Sequence, residues 1–296
     1  MVRAETTAAI LIAPALAIAL VRASGPSAPS FAMQCAFLAL TAALGLLFLQ
    51  LADDDGTVGR MEAGLAAALF AAAPASIAAL SANTEPGLIA SAAAMAAGLT
   101  ILRWRPGVTW HAWVALAPIA LCVPLHRVGM VFGLLALADA WLRRQSDDEQ
   151  SVATALLACW PALAISVAAV LMHRAEPWSV AAVPQAAVGA LISFCWPFDA
   201  SVGAGWSVAD GSIALLLLAA AGAAGLIVFR LRAAAFGILW FLLAILVAPA
   251  ALLAAFPGLA LALASTILAL TASGMRTASP TLVPLAAQSG TNEDGA

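Results

Sequence analysis

Apolar runs of membrane-crossing length follow one another along almost the whole chain, and few folds accommodate that. They cover roughly residues 6–21, 31–52, 62–80, 87–102, 108–125, 128–142, 151–172, 212–229, 233–253 and 258–273. A helix needs about 17–25 apolar residues to span the hydrocarbon layer, somewhat fewer where it is short or tilted. Of 296 residues, 64% are hydrophobic and 9% charged, against about 25% charged in a soluble domain. A water-facing fold of this composition would run short of polar surface. Lipid removes that need, and inside lipid the backbone must satisfy its own hydrogen bonds, which helices do. The expected fold is therefore all-α. A polytopic transmembrane helix bundle covers residues 1–275, and a disordered cytoplasmic tail with Pro280 and Pro284 covers 276–296.

The net charge of −3 gives no basic field for nucleic acid, so no nucleic-acid partner is expected. All twelve cations are arginine, and the chain has no tyrosine; with the alanine excess this reads as a GC-rich codon bias. Cys35, Cys122, Cys159 and Cys195 are scattered through apolar segments without metal-ligand spacing. They read as small packing residues, with no metal and no cofactor implied. Arg3 precedes the first apolar run, and Arg22 and Pro26 fit poorly around a signal-peptidase site, so that run is expected to remain as an uncleaved span.

Arginine placement orients the spans, because cytoplasmic loops are enriched in positive charge. A further apolar stretch, 180–196, is interrupted by Pro184 and Gln185. If it crosses, Arg230 and Arg232 fall outside. If it dips in and returns, nine arginines lie inside (Arg3, Arg60, Arg103, Arg105, Arg143, Arg144, Arg230, Arg232, Arg276) and three outside (Arg22, Arg127, Arg174). The second arrangement predicts about ten spans, a re-entrant or interfacial 180–196, and both termini cytoplasmic in a multi-pass protein of the bacterial inner membrane.

The polar residues then sort by side. Asp53-Asp54-Asp55 and Asp147-Asp148-Glu149 fall in cytoplasmic loops and read as solvated acidic runs, without the DDxxD spacing of a metal–pyrophosphate site. Asp139 lies inside a predicted span, with Arg143 one turn away as its expected partner. The outer side collects Glu85, His126-Arg127, His173-Arg174, Glu176, Asp199 and Asp210 at span ends. Ionisable groups near membrane depth are costly and tend to be functional. Arg127 and Arg174, beside Trp178, also suit an interfacial anchor, and bidentate arginine contacts suit a phosphate or a lipid head group. His126 and His173 join the two arginines as candidate phosphate- or lipid-binding residues.

Four colinear stretches resemble a known family. Phe70-Ala-Ala-Ala-Pro74 through Leu88, with the helix ending Leu102-Arg103-Trp104-Arg105, resembles an "F-A-x-H-P-x-H-x-E" segment and its following helix. Leu125-His126-Arg127-Val128 into the helix ending Arg143-Arg144 resembles an "S-K-E-T" connection. Phe194-Cys-Trp-Pro-Phe198 resembles an outer "W-P-F" segment, and Phe236-Gly-Ile-Leu-Trp-Phe-Leu-Leu-Ala244 an "F-G-L-L-W-F-L-L-A" helix. Over about residues 31–270 the chain is thus similar to GT-C-fold glycosyltransferases, in particular the O-mannosyltransferase-like group whose bacterial members often carry tetratricopeptide repeats. The resemblance implies a GT-C-like bundle that moves a sugar from a polyprenyl-phosphate donor to an acceptor on the outer side, using an acid in the first outer loop. Here that loop, 22–30, has no acid. Ala73-Pro74-Ala75-Ser76-Ile77-Ala78 lacks the two histidines and the glutamate, and His126-Arg127 replaces a Lys-Glu pair. The family's basic-and-tyrosine segment has no counterpart after Pro249.

Sugar transfer from a phosphate leaving group needs an acid or base at the acceptor and cations at the phosphate. Arg127 and Arg174 are the expected cations, and Glu85, Glu176, Asp199 and Asp210 the candidate catalytic acids. Three readings follow. One is a glycosyltransferase-like protein using a polyprenyl-phosphate sugar, with weakened catalysis. Another is a non-catalytic accessory subunit packed against other membrane protein subunits, for which small-residue runs such as 90–98 allow close helix contact. The third is a transporter or lipid-handling protein. Membrane lipid is a partner in all three.

Overall fold

The computed structural model describes residues 4–24, 28–53, 62–104, 110–144, 152–176, 178–195 and 232–278. Among these residues every regular element is helical. The helices are α1 (Ala4–Ser24), α2 (Phe31–Asp53), α3 (Leu65–Ala72), α4 (Pro74–Ala82), α5 (Pro86–Trp104), α6 (Trp110–Cys122), α7 (Phe132–Arg144), α8 (Val152–Met172), α9 (Ala182–Cys195), α10 (Arg232–Val247) and α11 (Phe256–Ala278). Short 3-10 turns precede α3, join α6 to α7 and precede α11.

Four helical stretches, Glu5–Ala23, Phe31–Ala52, Pro86–Trp104 and Leu252–Thr271, are long and apolar enough to cross a membrane. The expected span 62–80 is instead two helices, α3 and α4, bent by 61°. Pro74 is the cause: it starts α4, and it holds Ala73 in an extended conformation (φ −60°, ψ 128°) that no α-helix continues through. If the bent pair forms one span, five cross. Asn83 then ends α4 in the left-handed conformation, donating its N–H to the Ala79 carbonyl. Pro86 opens α5 at a position that needs no N–H. Within the stretch 180–196, α9 runs unbroken through Pro184, which falls in its first turn where the N–H has no intrahelical partner.

The core is built where helices touch over small residues. α2 packs along α5, α7 along α8 and α10 along α11. At the α10–α11 crossing, Gly237 and Gly258 face each other so closely that a Cβ on Gly258 would stand 2.5 Å from the Gly237 carbonyl oxygen. Gly98 of α5 is filled by the Phe132 ring. Phe37, Phe48, Phe70, Phe132, Phe236, Trp240 and Phe256 are fully buried between these contacts. By contrast, Leu11, Ile12, Leu16 and Leu20 of α1, Val167 and Leu171 of α8, and Leu242 and Leu246 of α10 point outward. Such a surface is costly in water and natural in hydrocarbon.

Long-range bonds sort the helix ends into two sets. At one end, Asn83 Oδ1 accepts from the Ser30 hydroxyl and N–H. Ser91 donates to the Val123 carbonyl, His173 bonds the Pro124 carbonyl, and Trp178 donates to the Leu246 carbonyl at 2.7 Å. At the other end, Arg103 reaches Asp139 and the Gln50 carbonyl. Both ends of α9 rest at the first end: it begins four residues after Trp178, and Phe194 stacks edge-on against Phe256, the first residue of α11, at 5.2 Å. The buried acid Asp139 therefore finds its partner on α5. The Arg143 side chain lies outside the described residues.

Candidate functional site

The turn between α6 and α7 is where sequence candidates converge. His126 is extended (φ −141°, ψ 152°) and caps the 3-10 turn Arg127–Val131, its Nδ1 accepting from the Val128 N–H at 3.1 Å. That bond leaves the proton of neutral His126 on Nε2. Burial pushes the His126 pKa below 6.5, with His173 and Arg127 adding to the shift and Glu176 opposing it. Gly129 and Gly133 let this turn sit tight: a Cβ on Gly129 would stand 2.2 Å from the Val123 carbonyl oxygen. Ser166 of α8 accepts from the Gly133 N–H and donates to the Gly129 carbonyl, bridging the 3-10 turn to α7.

From α8 comes His173, its ring centroid 6.5 Å from that of His126. Its Nε2 faces the Pro124 carbonyl at 2.8 Å and its Nδ1 faces Glu176 Oε1 at 2.5 Å. A carbonyl and a carboxylate are both acceptors, so the arrangement is satisfied when both ring nitrogens carry protons. Burial alone would lower the His173 pKa, but the Pro124 carbonyl and Glu176 outweigh it and the pKa is raised. Arg127 closes the group by donating to the Glu176 backbone carbonyl at 3.2 Å. His126, Arg127, His173 and Glu176 thus form one cluster tying the α6–α7 turn to the end of α8.

The other candidates stand apart from it. Arg174 is exposed. Glu85 is exposed and left-handed (φ 56°), its carbonyl accepting from Leu88 and Ile89 at the start of α5. Partial burial raises the Glu85 pKa. Gly87, two residues on, lies against the Leu125 carbonyl, so Glu85 belongs to the same end of the bundle. Asp199 and Asp210 lie outside the described residues. No group of three or more His, Cys, Asp or Glu able to hold a metal occurs among the described residues. Cys159 is buried and donates to the Ala136 carbonyl, Cys122 is half-buried, and Cys35 faces outward.

Sequence reasoning missed the second polar centre. Arg103 and Asp139 pair with side chains 5% and 3% exposed, and Arg103 also donates to the Gln50 carbonyl, joining α2, α5 and α7. Matched position was the available signal: both residues sit near the C-terminal ends of their helices, α5 and α7, which run in the same direction.

The sequence matches no family model, and no curated protein or solved structure matches the chain.

Proposed function

We propose that this chain is a membrane protein of about ten spans with both termini cytoplasmic, built on a scaffold that resembles the GT-C glycosyltransferases. In this reading it works as a non-catalytic accessory subunit of a membrane assembly. One observation carries the non-catalytic reading: Glu176, the candidate acid held against Arg127, is occupied by His173. A general base must hold a lone pair towards the acceptor hydroxyl. Glu176 directs Oε1 at an imidazole whose other nitrogen is also tied, so in this reading the pair serves as a clasp between elements and only the second carboxylate oxygen faces solvent.

Two features support the span count. α9 has 14 residues, about 21 Å of helix, which is short for a hydrocarbon layer of about 30 Å. Both its ends meet the end of the bundle where α8 finishes. α10 finishes there too, with Leu246 in its last turn bonded by Trp178. Ten spans with an interfacial α9 fit this arrangement and keep the arginine excess inside.

The second reading is the glycosyltransferase itself, using a polyprenyl-phosphate sugar. It is favoured by Glu85, a carboxyl of raised pKa that stays exposed at the same end as Arg174. Gentle solubilisation of the full chain, followed by protein and lipid mass spectrometry, separates the two. The accessory reading expects a stoichiometric membrane-protein partner and no polyprenyl phosphate. Co-purifying polyprenyl phosphate, with sugar transfer abolished in Glu85→Gln, would overturn it.

A further inference from the structure

Between α1 and α2 runs an open groove of about 590 Å³, lined by Ala15, Ile18, Ala19, Ala23 and Leu38 and headed by Arg22 and Gln34. Its shape follows from spacing. Ala15, Ala19 and Ala23 recur every four residues and so lie in one row along α1, outward-facing and too small to fill the space. Buried Ile18 and half-buried Leu38 complete the apolar wall. Large apolar side chains, Leu16 and Leu20 among them, point outward elsewhere on the same helix, so the groove opens on the surface that hydrocarbon covers.

At the head, the guanidinium is oriented. Gln34, almost fully buried, donates its Nε2 to the Pro29 carbonyl at 2.6 Å. Its Oε1 therefore points at Arg22, whose Nη2 donates to it at 2.6 Å. An amide oxygen carries no charge, and among the described residues no carboxylate pairs with Arg22. A guanidinium has five N–H donors, and those not used by Gln34 suit two oxygens of a phosphate. Depth agrees as well. From Glu5 to Arg22 is about 26 Å along the helix, close to the hydrocarbon thickness of about 30 Å, which puts Arg22 at the level of lipid phosphates. From Arg22 to Ala15 the groove descends about 10 Å into the layer occupied by acyl chains.

We infer that this groove binds one anionic phospholipid, its phosphate on Arg22 beside Ala23 and an acyl chain against Ala19 and Ala15. The site stands on α1 and α2 alone and does not depend on the accessory-subunit reading. Charge complementarity selects the occupant: a zwitterionic lipid fills the same apolar row, but its own cation offsets the attraction to Arg22.

The test is native mass spectrometry of the delipidated full-length chain in mild detergent, with equimolar dioleoyl phosphatidylglycerol and dioleoyl phosphatidylcholine. Wild type is expected to retain the glycerol lipid about tenfold over the choline lipid, a difference one charge-assisted contact supplies. Arg22→Gln should bring the ratio near one, Arg22→Lys should fall between, and Ala19→Phe should lose both lipids at this site by filling the row. Glycerol 3-phosphate in excess should not displace the lipid, since a head group alone gains nothing from the groove. Equal retention of the two lipids by wild type would overturn the assignment. So would a preference unchanged in both Arg22→Gln and Ala19→Phe, retention of neither lipid, or displacement by glycerol 3-phosphate.

Discussion

At one end of the bundle Arg103 and Asp139 meet with 5% and 3% of their side chains exposed; at the other, His173 and Glu176 meet with 17% and 48% exposed. The first pair is almost fully buried and shared among three helices. The second lies within one short segment, rests on a titratable ring, and has its carboxylate half in solvent. Burial makes the first pair mutually dependent, because either partner left alone is an uncompensated charge in a low dielectric. Exposure makes the second weakly coupled, because solvent screens what the partners lose. The end carrying the sequence-predicted site residues is therefore the more tolerant one, and the end with no predicted function is the more fragile.

The sharpest way to break this contrast is at the buried pair. Asp139→Ala should cost about 3–5 kcal/mol, read by unfolding of the detergent-solubilised protein. Arg103→Met with Asp139→Leu should recover much of that loss, since no charge is then stranded. A single-variant loss below about 1 kcal/mol would place the pair in the weak class with the exposed one.

The next effect is at the glycine crossing. Gly258→Leu should destabilise by about 1–3 kcal/mol, because its Cβ meets Gly237 and Phe241 backbone atoms at 2.5 Å. The same measurement checks it, and a neutral result would mean that α10 and α11 separate freely.

At the exposed end, His173→Ala should cost only about 1 kcal/mol, the net worth of one ordinary hydrogen bond. Smaller still is its pH dependence. Folding raises the His173 pKa above 6.5, so its contribution is complete below about pH 6.5 and is lost as pH rises through the raised value. Folding lowers the His126 pKa, so stability is lost as pH falls from about 6.5 through the lowered value. The two limbs oppose each other, and wild type should vary little near neutrality. His173→Gln should remove the high-pH limb and leave stability rising with pH. A profile identical to wild type would show that the two acceptors do not hold the ring in its protonated form.

Much of the exposed end was legible in the sequence. His126, Arg127, His173 and Glu176 all stood at outer span ends, and the structure brings these four together. Their roles were not legible. That His126 caps a turn and that Glu176 bonds His173 are contacts over two and three residues, whereas the docking of His173 on the Pro124 carbonyl and of Arg127 on the Glu176 carbonyl joins residues 49 positions apart in the chain. For Asp139, the i,i+4 rule offered Arg143, whereas the structure supplies Arg103 from 36 positions away. Pro74 lies inside the run 62–80 that was expected to be one span, and there the structure bends the chain by 61° between α3 and α4.

Composition and the succession of apolar runs by themselves determined a helical protein with several helices suited to a bilayer, because the hydrocarbon layer imposes one length and one way of satisfying the backbone. Periodicity and charge placement are local or one-dimensional, and they carried the reading as far as which groups share an end. Tertiary structure decided which of those groups touch, that Ala182–Cys195 forms one short unbroken helix, and that a groove remains between α1 and α2. Those outcomes depend on how closely backbones approach at alanine and glycine, a property of two helices together that neither sequence segment holds alone.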